Sequence, residues 1–288
     1  METTPSAVRL FQITDSHCYA SDDSRLTWTD MPIYPNLSLK AILAHLGGMA
    51  EGYNALLLTG DLAQEEIPAT YQRVNALLNR FPLPVYTIPG NHDIPQMMQE
   101  NLSGNVQMAE HVELGAWHLL LLDTHADGKP DGRLSEAQFE RLEQHLSSIP
   151  EDHFVAIFMH HHPVPIESEW MDVMGLQQKT YFWQLVEHFP QVKVVFNGHI
   201  HQEFNGQYTY TDGRVVAVHG TPATCVQMKP VRKNIEFDHT QPAWRDIVLL
   251  ADGRVETRVY YLPFVVEEEM VNSSNKCITH QLFGLYAG

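Results

Sequence analysis

At 288 residues, 44% of them hydrophobic and 18% charged, the chain can bury a core as one large domain or two small ones, and its composition is globular rather than disordered or fibrous. Lys and Arg total 18 against 35 Asp and Glu, a formal charge of −17 with no basic run, which argues against nucleic acid or an anionic membrane as partner because both require phosphate neutralisation by cations. The longest apolar runs, Trp117 to Leu122 and Phe154 to Met159, fall far short of the ~20 residues of a membrane span. Three widely spaced cysteines, Cys18, Cys225 and Cys277, predict reduced thiols rather than a disulfide framework or zinc knuckle. The opening Met-Glu-Thr-Thr-Pro-Ser has neither a basic start nor an apolar segment and reads as a chain retained in the cytoplasm.

Val8 to Ile13 is an apolar strand that runs into Thr14-Asp15-Ser16-His17, where Asp and His two apart point to the same side of an extended chain. Residues 18 to 36 lose periodicity and form a long loop with Trp28, Met31 and Tyr34, of a length that commonly serves as lid or rim. Leu39, Ile42, Leu43 and Leu46 follow helical spacing up to Gly47-Gly48. The buried run Ala55 to Thr59 then ends at Gly60-Asp61, where glycine permits a sharp turn and the carboxylate can enter a crevice at the strand's carboxyl end. A helix bearing Tyr71, Val74, Leu78 and Phe81 stops at Pro82, and the strand Val85 to Ile88 exits into Pro89-Gly90-Asn91-His92-Asp93.

The strand Trp117 to Leu122 exits into Asp123-Thr124-His125, and the next helix opens with Ser135 and Gln138 in capping-box spacing and Leu134 placed to staple Phe139. Phe154 to Met159 exits into His160-His161-His162-Pro163. A helix with Phe182, Leu185, Val186 and Phe189 leads to Val192 to Phe196, which exits into Asn197-Gly198-His199-Ile200-His201. Two hairpins follow, turning at Asp212-Gly213 and Asp252-Gly253, so that a mixed sheet closes the domain. One domain is expected over residues 1–262, with a tail over 263–288 that is poorly ordered or contacts a second copy as a homodimer. His45, His111, His145, His188, His239 and His280 read as ordinary surface or half-buried residues.

Five strand exits thus carry Asp15-x-His17, Gly60-Asp61, Gly90-Asn91-His92-Asp93, His160-His161-His162-Pro163 and Gly198-His199-x-His201. Each alone has an ordinary reading as a turn, a cap or a surface patch. Together they bring N and O donors to one edge of one sheet in numbers suited to two divalent metals. Their order and wording resemble the calcineurin-like metallophosphoesterase superfamily from about Val8 to Cys225. The stretches Leu10-Phe-Gln-Ile-Thr-Asp15, Thr59-Gly-Asp-Leu-Ala-Gln64, His160-His-His-Pro-Val-Pro165, Gly198-His-Ile-His-Gln-Glu203, Thr221-Pro-Ala-Thr-Cys-Val-Gln227 and Pro242-Ala-Trp-Arg245 look like those of bacterial class III 3′,5′-cyclic AMP phosphodiesterases.

The resemblance implies an α/β fold, an αββα sandwich of two mixed sheets flanked by helices, with a dinuclear metal centre at the strands' carboxyl ends. It implies that Asp15, His17 and His201 hold one metal, Asn91, His160 and His199 the other, and Asp61 both. Position 162 is His where the family usually has Pro, so the ligand within the His run could lie one residue along. His17, Asn91, His92 and His201 would face the substrate, with His92 bonding a phosphoryl oxygen or protonating the leaving oxygen. Asp93 and Asp123 are candidates to orient a ligand histidine, and Thr221 to Gln227 to line the nucleotide pocket. Fe and Mn suit the donor set best and Zn is compatible. Two such ions ~3.5 to 4 Å apart share a hydroxide that is nucleophilic at neutral pH, and they reverse the chain's negative sign locally. The expected activity is hydrolysis of cyclic AMP to 5′-AMP. The alternatives are the same site acting on glycerophosphodiesters or 2′,3′-cyclic nucleotides, and a non-catalytic scaffold of the same fold.

Overall fold

The computed structural model describes residues 7–263, so the expected tail lies outside the described residues save residue 263, as do Cys277 and His280. The first half of the chain gives β1 (Val8–Ile13), α1 (Pro35–Gly48), β2 (Ala55–Thr59), α2 (Pro68–Leu78), β3 (Val85–Ile88), α3 (Pro95–Asn101), β4 (Val106–Gln107), β5 (His111–Leu114), β6 (Trp117–Leu122) and α4 (Glu136–Ser148). The second half gives β7 (Phe154–Met159), α5 (Glu169–Asp172), α6 (Lys179–Glu187), β8 (Val192–Asn197), β9 (Phe204–Thr209), β10 (Val215–Gly220), β11 (Ala243–Leu249) and β12 (Val255–Tyr261).

The strands form two six-stranded mixed sheets, ordered β12-β11-β1-β2-β3-β4 and β5-β6-β7-β8-β10-β9. In the first, β1 to β4 run parallel and β11 and β12 close the edge antiparallel; in the second, β6, β7, β8 and β10 run parallel, flanked by antiparallel β5 and β9. Strands that are apolar on both faces need cover on both, and alternation divides the labour. Leu10, Leu57 and Ile88 of the first sheet pack against Leu119, Phe158 and Phe196 of the second in a core between the sheets. Phe11, Leu56 and Leu58 face the other way, onto α1 and α2. Ile157, Met159 and Val195 likewise face α4 and α6.

This arrangement corrects the placement of all five exits on one sheet. β1, β2 and β3 belong to the first sheet and β7 and β8 to the second, and face-to-face packing brings both sets of carboxyl ends to one rim. The two-sheet sandwich implied by the family resemblance is the architecture observed.

Locally, the capping box at α4 is present: Gln138 N–H bonds Ser135 Oγ, and Ser135 N–H bonds Gln138 Oε1 at 2.7 Å. Leu134 and Phe139 are buried in one cluster, as a staple requires. Helix α2 ends at Leu78, three residues before Phe81, which is nonetheless buried in the same core as Val74.

Candidate active site

The chain makes its turns into the site in an unusual backbone region. Among the described residues, the non-glycine positions with positive φ are Asp15 (54°), His17 (44°), Asp61 (52°), His199 (70°), His201 (49°) and Glu167 (65°). All but the last are expected ligands. Left-handed φ is costly for side chains with a Cβ and persists where surrounding structure holds it, as it does at functional sites. Here the hold is visible: Asp15 N–H bonds Gly60 O, His17 N–H bonds Asp61 O, and Cys18 N–H bonds Leu62 O, so the exits of β1 and β2 are zipped together.

Glycine makes the crowding possible. A Cβ on Gly60, whose φ is 95°, would stand 2.3 Å from His160 Nδ1 and 2.9 Å from Gly90 Cα. A Cβ on Gly90 would stand 2.1 Å from Asp61 Oδ1. Neither position has room for any other residue.

Six of the expected ligands, Asp15, His17, Asp61, His160, His199 and His201, are buried; Asn91 is half-buried beside His92 at the mouth. His17 Nε2 lies 3.3 Å from His201 Nε2, 3.6 Å from Asp61 Oδ2 and 3.9 Å from Asp15 Oδ1, and His201 Nε2 lies 3.2 Å from Asp15 Oδ1. On the other side, His160 Nε2 lies 3.4 Å from Asp61 Oδ1 and 3.3 Å from Asn91 Oδ1. His199 joins this second group, within reach of His160 and His161.

The imidazoles are also set in the right tautomer. His160 Nδ1 meets Thr59 O at 2.8 Å, His201 Nδ1 meets Val226 O at 2.8 Å, and His17 Nδ1 meets the side-chain carbonyl Gln64 Oε1 at 3.0 Å. Because these carbonyl oxygens only accept, each Nδ1 carries a proton, which leaves Nε2 as the nitrogen that faces the interior and would ligate a metal. His199 Nε2 is buried without a hydrogen-bond partner. The donor set therefore fits divalent cations: clustered lone pairs and two carboxylates at spacings that ligands bonded at ~2.1 Å to one ion adopt.

Electrostatics point the same way. Burial opposes the charge on Asp15, but His201 and His160 outweigh it and hold the carboxyl down to about 2. Burial likewise fails to raise Asp61, which His160 keeps well below the usual carboxylate range. Burial disfavours an imidazolium at His160, yet Asp61 and Asp15 push it up to about 9, whereas burial drives His17 down to about 3. The pair of buried carboxylates demands positive charge at this spot.

Within the histidine run, only His160 reaches Asp61 and Asn91. His161 Nδ1 pairs with Thr124 Oγ1, and His162 turns away to Asp172, with Nε2 3.5 Å from Oδ1. Asp93 does not orient a histidine. Its carboxylate accepts the N–H groups of Leu62, Ala63 and Gly90, tying the Asp61 turn to the Asn91 loop, and burial with Asp61 nearby raises it to about 7. Asp123 accepts the N–H of His125. Thr221 to Gln227 is buried against the β1 exit, with Thr224 N–H bonded to Thr14 O and Cys225 beside His17 and His201.

Residues 8–203 match the family model described as calcineurin-like phosphoesterase. The chain belongs to the calcineurin-like phosphoesterase family. Among curated relatives of this calcineurin-like phosphoesterase are the 3′,5′-cyclic adenosine monophosphate phosphodiesterases CpdA of Vibrio vulnificus, 37% identical over 89% of this chain and 91% of that protein, and of Escherichia coli K12, 36% identical over 88% and 90%. The solved structure of a dimetal phosphatase from Danio rerio shares its fold, with a TM-score of 0.61 at 13% identity, covering 88% of this chain and 98% of that one.

Sequence reasoning missed Gln64 as a partner of a calcineurin-like phosphoesterase ligand. It stands three residues after Asp61, and its Oε1 also accepts the indole N–H of Trp28 at 3.1 Å. The only signal was its place in the Thr59-to-Gln64 motif.

Proposed function

We propose that this chain hydrolyses 3′,5′-cyclic AMP to 5′-AMP with two divalent metal ions, iron or manganese foremost and zinc next. The observation that carries the reading is Asp61: Oδ2 faces His17 and Oδ1 faces His160, so a single carboxylate lies between two groups of donors. Cyclic AMP comes from the relatives, whose named activity belongs to proteins aligned with about nine-tenths of this chain.

In this reading Asp15, His17 and His201 hold one ion, Asn91, His160 and His199 the other, and Asp61 both. The ions supply Lewis-acid charge to an anionic diester and acidify water. The chain's part is to hold each Nδ1–H on Thr59 O, Val226 O or Gln64 Oε1 so that Nε2 is the nitrogen turned to the ion, and to hold the phosphate at His17, Asn91, His92 and His201. An attacking water releases a proton to solvent, its oxygen bonds to phosphorus, the P–O3′ bond breaks, and the His92 imidazolium gives its proton to O3′. His92 suits the task by position: it is half-buried at the mouth, its ring 5.0 Å from that of His17, and its backbone N–H on Asp61 Oδ1 at 2.9 Å fixes its loop.

Metal content and turnover, measured on the same purified sample with cyclic AMP, 2′,3′-cyclic nucleotides and glycerophosphodiesters side by side, test this function. Cyclic AMP should rank first and yield 5′-AMP; ranking last would refute the choice, and protein with little stoichiometric metal would mark a scaffold. His92→Ala should lower kcat on cyclic AMP by roughly 10²- to 10⁴-fold with metal retained, and undiminished turnover would refute the acid role. The same reading takes residues 1–262 as the catalytic domain acting in the cytoplasm and 263–288 as a contact for a second copy, which comparison of the oligomeric state with and without that tail would test.

A further inference from the structure

The wall beside the candidate metal pocket is aromatic and comes from two loops distant in sequence. Trp28, half-buried, has its ring centroid 5.7 Å from that of His17, 6.1 Å from that of His201 and 5.4 Å from that of Phe237. It bridges two apolar clusters, one of Leu26, Ile33 and Cys225, the other of Ile166, Ile200 and Met228. Its one polar atom is already engaged, since the indole N–H donates to the Gln64 oxygen that also holds His17. That bond fixes the ring's orientation and leaves only carbon to meet anything that binds next to His17 and His201.

An oriented aromatic surface with its polar edge turned away suits a flat ring and offers nothing to a hydroxyl-rich group. Bases stack on such surfaces whatever their hydrogen-bonding edge. A glycerol substituent, by contrast, would lose water there without gaining partners. In a 3′,5′-cyclic nucleotide one ribose separates phosphorus from base, and Trp28 stands in T-shaped contact with His17, 5.7 Å between centroids, so a phosphate held beside His17 brings the base within reach of the indole.

We infer that Trp28, backed by Phe237, is the platform on which the substrate's base stacks, and that this wall selects nucleoside cyclic phosphates over glycerophosphodiesters. The inference rests on the function proposed above and adds a specificity-determining residue to it. A rival role exists for the same side chain: through Gln64 it could act only on the pose of His17.

The two roles separate when kcat/KM is measured for cyclic AMP and for ribose 3′,5′-cyclic phosphate lacking a base, in the metal-loaded wild type, Trp28→Leu and Trp28→Phe. The ratio of cyclic AMP to the abasic ring should fall about tenfold in Trp28→Leu, the size of one stacked base, and stay within about twofold of wild type in Trp28→Phe, which keeps a ring but lacks the N–H. A ratio unchanged in Trp28→Leu, with both substrates slowed alike in both variants, would overturn the platform and leave the His17 role. Failure of the function itself looks different: the wild type then turns over neither ring, and the inference falls with it.

Discussion

Asp61 carries the greatest burden of any side chain at the rim. Its turn is left-handed, its carboxylate is buried, Oδ1 accepts the His92 N–H, and each oxygen faces a different histidine. If one carboxylate serves both ions, Asp61→Asn should release both together, whereas His17→Ala or Asn91→Ala should deplete mainly one. Metal counts per chain decide the matter, and stepwise loss in Asp61→Asn would contradict the shared role. Gly90 sets the position of that carboxylate from outside. Gly90→Ala would drive a methyl to 2.1 Å from Asp61 Oδ1 and 2.4 Å from its N, so stability should drop by about 1–3 kcal/mol and metal occupancy with it. Wild-type melting and metal content in Gly90→Ala would show that the loop has slack it does not display. At this scale the sequence was most legible, because strand exits ending in Asp, Asn or His are conspicuous after apolar runs. What it could not reveal was the left-handed backbone at five of those residues, which at Asp15, His17 and Asp61 accompanies zipping of the β1 and β2 exits and has no compositional mark.

Legibility at the scale of elements follows burial. Fully buried parallel strands such as β2 and β7 stand out as continuous apolar runs. The two-residue β4 and the edge strand β5, where Val112 is the one buried residue, have too little apolar pattern to read. Missing β5 also hid a row of histidines, because its pairing with β6 is what aligns them. His111 Nε2 lies 2.8 Å from His118 Nδ1, and His118 Nε2 lies 2.8 Å from His153 Nδ1, with the His145 ring of α4 5.3 Å from His111. Two of the residues read as ordinary surface or half-buried histidines, His111 and His145, are half-buried and belong to a packed array. Burial first, and neighbouring histidines second, lower His111 and His118 from the usual 6.5. An unfolded chain takes up these protons before the folded one does, so the array's contribution is whole above about pH 6.5 and is lost as pH falls below it. Urea midpoints at pH 8 and pH 5.5 should therefore differ more in the wild type than in His118→Leu, a change on the face that β6 shares with Leu120. Equal differences would show that protonation of this row does not touch stability.

For the whole molecule, net charge and local charge pull against each other. A chain of −17 repels an anionic nucleotide at long range, while any cations at the rim attract it only at short range. On the segment carrying Phe237, Lys229 pairs with Glu236 at 3.4 Å and Arg232 with Glu169 at 3.5 Å, while Lys233 is exposed, a small local offset to the chain's overall charge. Arg245, the largest buried cation, donates to Gly220 O and Thr221 Oγ1 between the sheets and points its charge into the fold. Added salt shortens the reach of the repulsion, to a Debye length of about 10 Å at 0.1 M, while contacts inside a buried pocket are screened far less. Raising monovalent salt from about 0.01 to about 0.1 M should thus increase kcat/KM for cyclic AMP modestly where encounter limits the rate, with kcat nearly constant. A steep fall would mean that the field at the mouth is positive already, so that the local charge governs the approach as well as the chemistry.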